Sequence, residues 1–292
     1  GTVQVNHSGA EMGQGINTRM AQVAAHNFDV PMSDVEITET ATDIIPNAPP
    51  TTMSSTDLCG EAVVEASRKI LDVLRKYPGE TLAERASNAI DAGEDLSARG
   101  TCNAPALWYD FEKQHGEVSY FYVWAQGLSV AEVDLISGSF RVLKTSIVQD
   151  TGKSLNPILD VGQVEGGFLY GMGNYMMEEM LYADDGKLIS DNVSSYKLPS
   201  CGDVPLDWDV ELLNYEPDTE EIGLYNSKGV GEANVQLGLS VRFAVLDAVR
   251  AARKSAGLDA YCDVGFPASV DRVSAALPSI EQLQRVELNS QR

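Results

Sequence analysis

The alternation of apolar and polar positions changes period repeatedly along this chain, and each change marks an element. Residues 2–6 alternate as a short strand. The glycine-rich run Gly9-Ala10-Glu11-Met12-Gly13-Gln14-Gly15 then opens a helix in which Met20, Val23, Ala24 and Phe28 recur at helical spacing. Val35-Glu36-Ile37-Thr38 returns to strand alternation, and a proline-rich segment leads into a polar stretch over 51–57, ahead of a helix predicted from about 60 to 76. Between 81 and 111 the pattern carries only a short helix and an irregular segment.

From 120 to 148 β-branched and aromatic residues dominate, and Ser137-Gly138 separates two strand runs as a hairpin turn would. Asn156-Pro157 ends the strands, and an apolar helix is predicted over 161–181, closing in Glu178-Glu179. It contains Gly162, Gly166, Gly167, Gly171 and Gly173. Each costs about 1 kcal/mol against alanine in a helix, so close packing or a cofactor's approach should compensate. A strand over 208–213 precedes the loop Ser227-Lys228-Gly229-Val230-Gly231-Glu232, which heads a helix to about 254, and a last helix lies within 265–277. The expected class is α+β, with helices packed on antiparallel or mixed sheets. Two subdomains are expected, 1–150 and 151–292, meeting near 152–157 with a cofactor crevice between them.

At 292 residues with 43% hydrophobic content, the chain can fill a real core. It has no apolar run of the roughly 20 residues that a spanning helix needs, and its start lacks a basic region leading into an apolar one. Neither membrane insertion nor secretion is expected. A net charge of -22 argues against nucleic-acid phosphates and anionic lipid as partners. Cys59, Cys102, Cys201 and Cys262 form no CxxC pair and have no histidine at zinc-site spacing. They read as reduced, structural cysteines of a cytoplasmic or peroxisomal protein. Because the first residues already alternate as a strand, a fragment of a longer protein or a processed subunit is expected.

The glycine- or hydroxyl-rich loops ahead of helices offer backbone N–H groups at the positive end of a helix dipole, where anions bind. One such loop is ordinarily a simple turn. The order Gly13-Gln14-Gly15, then Thr51, Thr52, Met53, Ser54 and Ser55, then Gly162-Gln163, then Gly231-Glu232 is far more specific.

Those blocks carry a resemblance. The run from Gly9 to Gly15, preceded by His7, resembles the Gly-Thr-Glu-Met-Gly-Gln-Gly run of the xanthine dehydrogenase and aldehyde oxidase family. Asp160-Val161-Gly162-Gln163-Val164-Glu165-Gly166-Gly167-Phe168 resembles its Asp-Ile-Gly-Gln-Val-Glu-Gly-Ala-Phe helix start, and Ser195-Tyr196-Lys197-Leu198-Pro199 its Thr-Tyr-Lys-Ile-Pro segment. Ser227-Lys228-Gly229-Val230-Gly231-Glu232 resembles the Ser-Lys-Ala-Val-Gly-Glu motif that carries the family's catalytic base. The likeness spans about residues 1–277.

The resemblance implies the C-terminal part of the molybdopterin-binding region of a molybdenum hydroxylase. A pterin-dithiolate molybdenum centre would transfer a water-derived oxygen to an electron-poor carbon of a purine or an aldehyde. Glu232 matches the base. Gly13, Gln14, Thr51, Thr52, Met53, Ser54, Ser55, Gln163 and Gly231 are implied around the pterin, its phosphate or the metal, with the Met53 backbone facing molybdenum. The family's 2Fe-2S clusters, FAD and upstream half of the molybdenum region would lie on missing parts or partner subunits, and the full enzyme would be a homodimer. Two departures stand out. The family usually has Pro-Pro after the base, where this chain has Ala233-Asn234, and the 51–57 stretch is one residue short, which leaves Ser54 and Ser55 open by one position.

A carboxylate after a glycine on a buried loop can be desolvated towards working pH, as a general base requires. The competing reading of Glu232 is a helix N-terminal carboxylate, and that of Gln14 and Gln163 is hydrogen bonding within the helix start. Glu11 and Glu165 read as structural hydrogen-bonding residues, and His7 as a satisfied polar contact. Two alternatives stay open for the whole chain: a separately encoded molybdopterin subunit of a hydroxylase for another N-heterocycle, and a non-catalytic anion-binding remnant.

Overall fold

In the computed structural model the described residues are 1–41, 44–45, 55–102, 107–213 and 223–284. Thr51, Thr52, Met53 and Ser54 lie outside them. The chain forms two compact units, each assembled from separate stretches: Gly1–Val123, Thr151–Asp160 and Asn214–Gly229 in the first, Trp124–Asp150, Val161–Leu213 and Val230–Arg292 in the second.

In the first unit β1 (Val3–Val5) pairs in parallel with β2 (Val35–Ile37), and α1 (Ile16–Phe28) makes the crossover that a parallel pair requires. The apolar stripe read from the sequence is the buried one: Ile16, Met20, Val23 and Ala24 pack with Val5, Cys59, Val63 and Leu224. Gly15, at φ 76, sits at the entry to α1, and a Cβ there would come within 2.6 Å of Leu159, so both backbone and space demand glycine. The next helix, α2 (Ser55–Leu74), begins about five residues before the expected start. Ser55, Thr56 and Asp57 read as loop because they are polar, but polar residues with an acid among them are what a first helical turn favours. The short helix expected after residue 81 is α3 (Leu82–Asp91), started by a Thr81–Glu84 capping box. The irregular segment beyond it contains a small hairpin of β3 (Trp108–Asp110) and β4 (His115–Glu117).

The second unit is built on a three-stranded sheet in the order β5 (Ala125–Val133), β6 (Phe140–Asp150), β7 (Asp207–Leu213). The β5–β6 hairpin turns where Ser137-Gly138 placed it, whereas β7 runs parallel to β6, so the sheet is mixed. On it pack α4 (Pro157–Met176), whose first residues belong to the first unit, and α5 (Leu239–Ser255). Their core joins Val142 and Ile147 of the sheet to Val164, Phe168, Met172 and Met176 of α4 and Val241, Val245 and Val249 of α5. Each such side chain contributes on the order of 1.5–3 kcal/mol by leaving water. The chain closes its described core with α6 (Val270–Ala276).

The α4 boundaries differ from expectation at both ends. Proline is suited to a first helical position, and the Asn156 side chain accepts from the Leu159 N–H, so the helix starts at Pro157. At the other end the N–H groups of Met177 and Glu178 both donate to Gly173 O, and the helix stops before Glu178-Glu179. No helix among the described residues is long and apolar enough to cross a membrane, and all four cysteines are free.

Candidate functional site

The glycine-rich loop of the first unit is organised by its own acid. Glu11 Oε1 accepts from the Gly13 and Gly15 amides at 3.0 and 2.9 Å, and Oε2 accepts from the Asn17 amide at 3.1 Å. The anion expected at the N-terminus of α1 is therefore this carboxylate, and those amides are already engaged. Half-buried Gln14 accepts from the Met12 N–H at 2.6 Å and donates to Ala10 O at 2.8 Å, a set of bonds within the loop. His7 is buried, with Nδ1 accepting from the Gly9 amide at 3.2 Å; its other nitrogen must then carry the hydrogen and donate to Asn17 Oδ1 at 2.8 Å. Burial lowers the imidazole's pKa, favouring that neutral tautomer. His7 is a satisfied structural group.

Ser55 occupies the first position of α2 and is buried. Two residues on, Asp57 accepts from the Leu224 N–H at 3.1 Å, and burial pushes its carboxyl up to about 6, with Glu61 adding to the rise while the Leu224 hydrogen bond and Arg19 oppose it. Folded-state pKa above the ordinary 3.8 means the fold holds this proton more tightly than the unfolded chain does. The associated stability is full below about 3.8 and is lost as pH rises through about 6. Asp57→Asn keeps an acceptor for Leu224 and removes the buried charge. It is expected to stabilise by up to about 3 kcal/mol near pH 8 and to make little difference near pH 4. Denaturant unfolding at both pH values measures this, and an equal effect at the two would contradict it.

In the second unit the glycines of α4 divide by surroundings. A Cβ at Gly167 would stand 2.5 Å from Gly231 O, and one at Gly171 only 1.7 Å from Val235 O. One at Gly173 would meet Glu178 Oε1 and Pro199 Cδ at 2.3 and 2.7 Å. At these positions close packing compensates the helix-weakening glycine. Gly162 and Gly166 have nothing within 4 Å, so this part of α4 presents bare backbone. The contact near Pro199 fixes the 195–199 segment, and Tyr196 donates to Glu178 Oε2 at 2.6 Å.

The segment that lies against Gly167 and Gly171 begins with Glu232. In place of the expected helix start there is a 3-10 segment, Glu232–Gly238, before α5. Its last residue must be glycine, since a Cβ at Gly238 would meet Met172 N at 2.3 Å. Gln163, half-buried in α4, brings Oε1 to 3.2 Å from where a Gly231 Cβ would stand. Gln163 and Gly231, the residue before Glu232, are thus brought together within one unit. Glu232 itself is exposed in this chain, which corrects the expectation of a buried carboxylate; its neighbours Val230 and Asn234 are the buried members of the loop.

Some structural partners escaped the sequence reading. Arg19 pairs with Asp160 at 2.5 Å, both buried, and Ser154 donates to the other Asp160 oxygen at 2.5 Å. The signal was present: Arg19 lies three residues after Ile16 and four before Val23, inside the apolar stripe of α1. Asn234, fully buried, donates from Nδ2 to Val230 O in a short contact and to Gly231 O at 3.4 Å. In the sequence it was visible only as a departure from proline.

Comparisons with known proteins bear on what these loops serve. Residues 1–205 match the family model described as a molybdopterin cofactor-binding domain. The xanthine dehydrogenase/oxidase of Mus musculus is 40% identical over 262 residues, which is 88% of this chain and 20% of that protein. Aldehyde oxidase 4 of Rattus norvegicus is 37% identical over 281 residues, 94% of this chain and 21% of that protein. The aldehyde oxidoreductase of Desulfovibrio desulfuricans has the same fold at 22% identity, with a TM-score of 0.74 over 95% of this chain and 29% of that one. The chain spans about a fifth of the length of the curated relatives it matches. By its matched domain, its identity to these relatives and its fold, the chain belongs to the molybdopterin-binding region of the xanthine dehydrogenase and aldehyde oxidase family of molybdenum hydroxylases.

Proposed function

We propose that this chain supplies the catalytic base and part of the cofactor wall of an enzyme that hydroxylates a purine, or an aldehyde, at an electron-poor carbon with water as the oxygen source. The observation that carries the reading is the approach of Gln163 of α4 to Gly231, the residue that precedes Glu232. Residues far apart in sequence, each matching a family motif, share one place in the second unit. Purine is the preferred substrate class because the 40% identical relative is named a xanthine dehydrogenase/oxidase.

The side chains offered suit the molybdenum–molybdopterin cofactor. Among the described residues no group of three His, Cys, Asp or Glu could hold a bare metal ion, whereas neutral amides and a hydroxyl (Gln14, Gln163, Ser55) suit an organic ligand that brings its own metal. When bound, that group would supply the oxygen nucleophile and accept the electrons. Gln163 would hydrogen-bond it beside the bare backbone at Gly162 and Gly166. The Gln14 side chain, with Ser55 and the adjoining Thr51, Thr52, Met53 and Ser54, would hold its polar end in place of the loop amides that Glu11 occupies, the Met53 backbone facing the metal. Glu232 would take a proton from the attacking oxygen, and its exposure in this chain leaves it accessible to a ligand.

The rest of the enzyme would come from the upstream molybdenum-binding half and from iron–sulfur and flavin parts, on the same polypeptide or on partner subunits, in a homodimer. Turnover and molybdenum content of the complete Glu232→Gln enzyme test the central assignment. The phosphate-binding part has its own test. On this reading alanine at both Ser54 and Ser55 would remove hydrogen bonds to a charged group, each contributing on the order of 1.5–3 kcal/mol. Molybdenum per protein should therefore fall in the double variant at limiting cofactor supply. Unchanged loading would remove this stretch from the site.

A further inference from the structure

Glu232 is exposed, yet Val230 and Asn234, two residues before and after it, are buried. Resting on the reading of Glu232 as the base, we infer that Asn234 is the positioning residue that fixes the direction in which this carboxylate is presented. Its side chain is fully buried, and Nδ2 faces the Val230 and Gly231 carbonyls together. Two carbonyl oxygens on one side settle the amide's orientation, since turning it over would set Oδ1 against both. Oδ1 has no hydrogen-bond partner among the described residues. A buried amide oxygen left unpaired is costly, so the benefit of this residue lies at the donating end.

The Gly231 carbonyl and the Glu232 N–H belong to one planar peptide. Holding that carbonyl fixes the plane from which the Glu232 Cα and Cβ depart. It is held from two sides. Asn234 Nδ2 approaches at 3.4 Å, and the bare backbone of Gly167 lets it approach so closely that a Cβ there would stand 2.5 Å from the oxygen and 3.1 Å from Asn234 Cβ. No proline stiffens this stretch, because Ala233 and Asn234 follow the base. The side-chain amide supplies by hydrogen bonding the rigidity that a locked φ would give.

Asn234→Leu keeps branching and size and removes both donors. In the complete, cofactor-replete enzyme it is expected to lower kcat on the order of 10–100-fold, the effect of a misplaced catalytic group, with KM changed by less than about threefold. Because the residue acts through Glu232, adding Asn234→Leu to Glu232→Gln should cost little further rate. The same factor lost in both backgrounds would overturn the inference, as would unchanged kcat in the single variant. Should the leucine variant fail to load cofactor, Asn234→Ser, which shortens the arm but keeps a small polar group, is read by the same cycle and by the same two criteria. Near-normal turnover in Glu232→Gln alone would instead sink the reading of Glu232 itself, so the two failures are distinct.

Discussion

Glu232→Gln in the complete enzyme is expected to cut turnover by roughly 10²–10⁴ while leaving molybdenum and pterin content and the fold unchanged. Glutamine keeps the shape and reach of the side chain but, on the role proposed for Glu232, could not accept the proton whose removal would generate the oxygen nucleophile. The loss could exceed the usual range for a general base because the same proton transfer creates the attacking group. It should fall on the chemical step, so single-turnover reduction of the enzyme by substrate is the measurement to make, with substrate affinity close to normal. The competing role is different in kind. Glu232 opens a 3-10 segment, and a carboxylate that only stabilised that terminus would cost about 0.3–1 kcal/mol of stability on removal and leave activity near normal. A correctly metallated variant retaining more than about a tenth of wild-type turnover would end the catalytic assignment.

Periodicity carried the elements whose faces are buried in a regular way. The stripe of α1 and the β5–β6 hairpin were legible because one face of each meets a core inside its own unit, and burial writes itself into the sequence at 3.6 or 2 residues. What failed were positions decided by contacts across the chain. The close approach of the 3-10 segment Glu232–Gly238 to α4 requires glycine at Gly171 and Gly238, and a glycine in the sequence does not say what will press against it. The polar first turn of α2 looked like loop for the opposite reason, since residues that favour a helix start also favour turns. For the candidate site, the motifs named Gln163 and Glu232, but the contacts made at Gly231 were invisible. Asn234 entered only as an unexpected residue after the base, and its hydrogen bonds to Val230 and Gly231 are a property of the folded loop. The amides of the first glycine-rich loop were read as open to a ligand, because nothing in one dimension shows that Glu11 folds back onto them.

The second large effect concerns stability and falls on a pair that the motif comparison half disclosed. Asp160 opens the Asp-Val-Gly-Gln block, and its partner Arg19 lies 141 residues earlier in sequence. Both are almost wholly buried, and Asp160 also accepts from Ser154. Removing one partner leaves the other charge in a poorly solvated place with its attraction gone, which typically costs about 3–5 kcal/mol. Arg19→Leu is therefore expected to destabilise the first unit by that amount, an effect readable as a lowered denaturant midpoint and as earlier proteolysis between α1 and α4. Asp160→Asn should cost less than Arg19→Leu, because the amide can still accept from one neighbour. The double replacement Arg19→Leu with Asp160→Leu separates two explanations. If the pair matters through its charges, removing both avoids the stranded ion and should recover most of the loss, since apolar residues often replace a buried pair at little cost. If the double variant is as unstable as Arg19→Leu alone, the destabilisation comes from lost packing of the arginine stem, and the buried ion pair is not what holds the start of α4 in place.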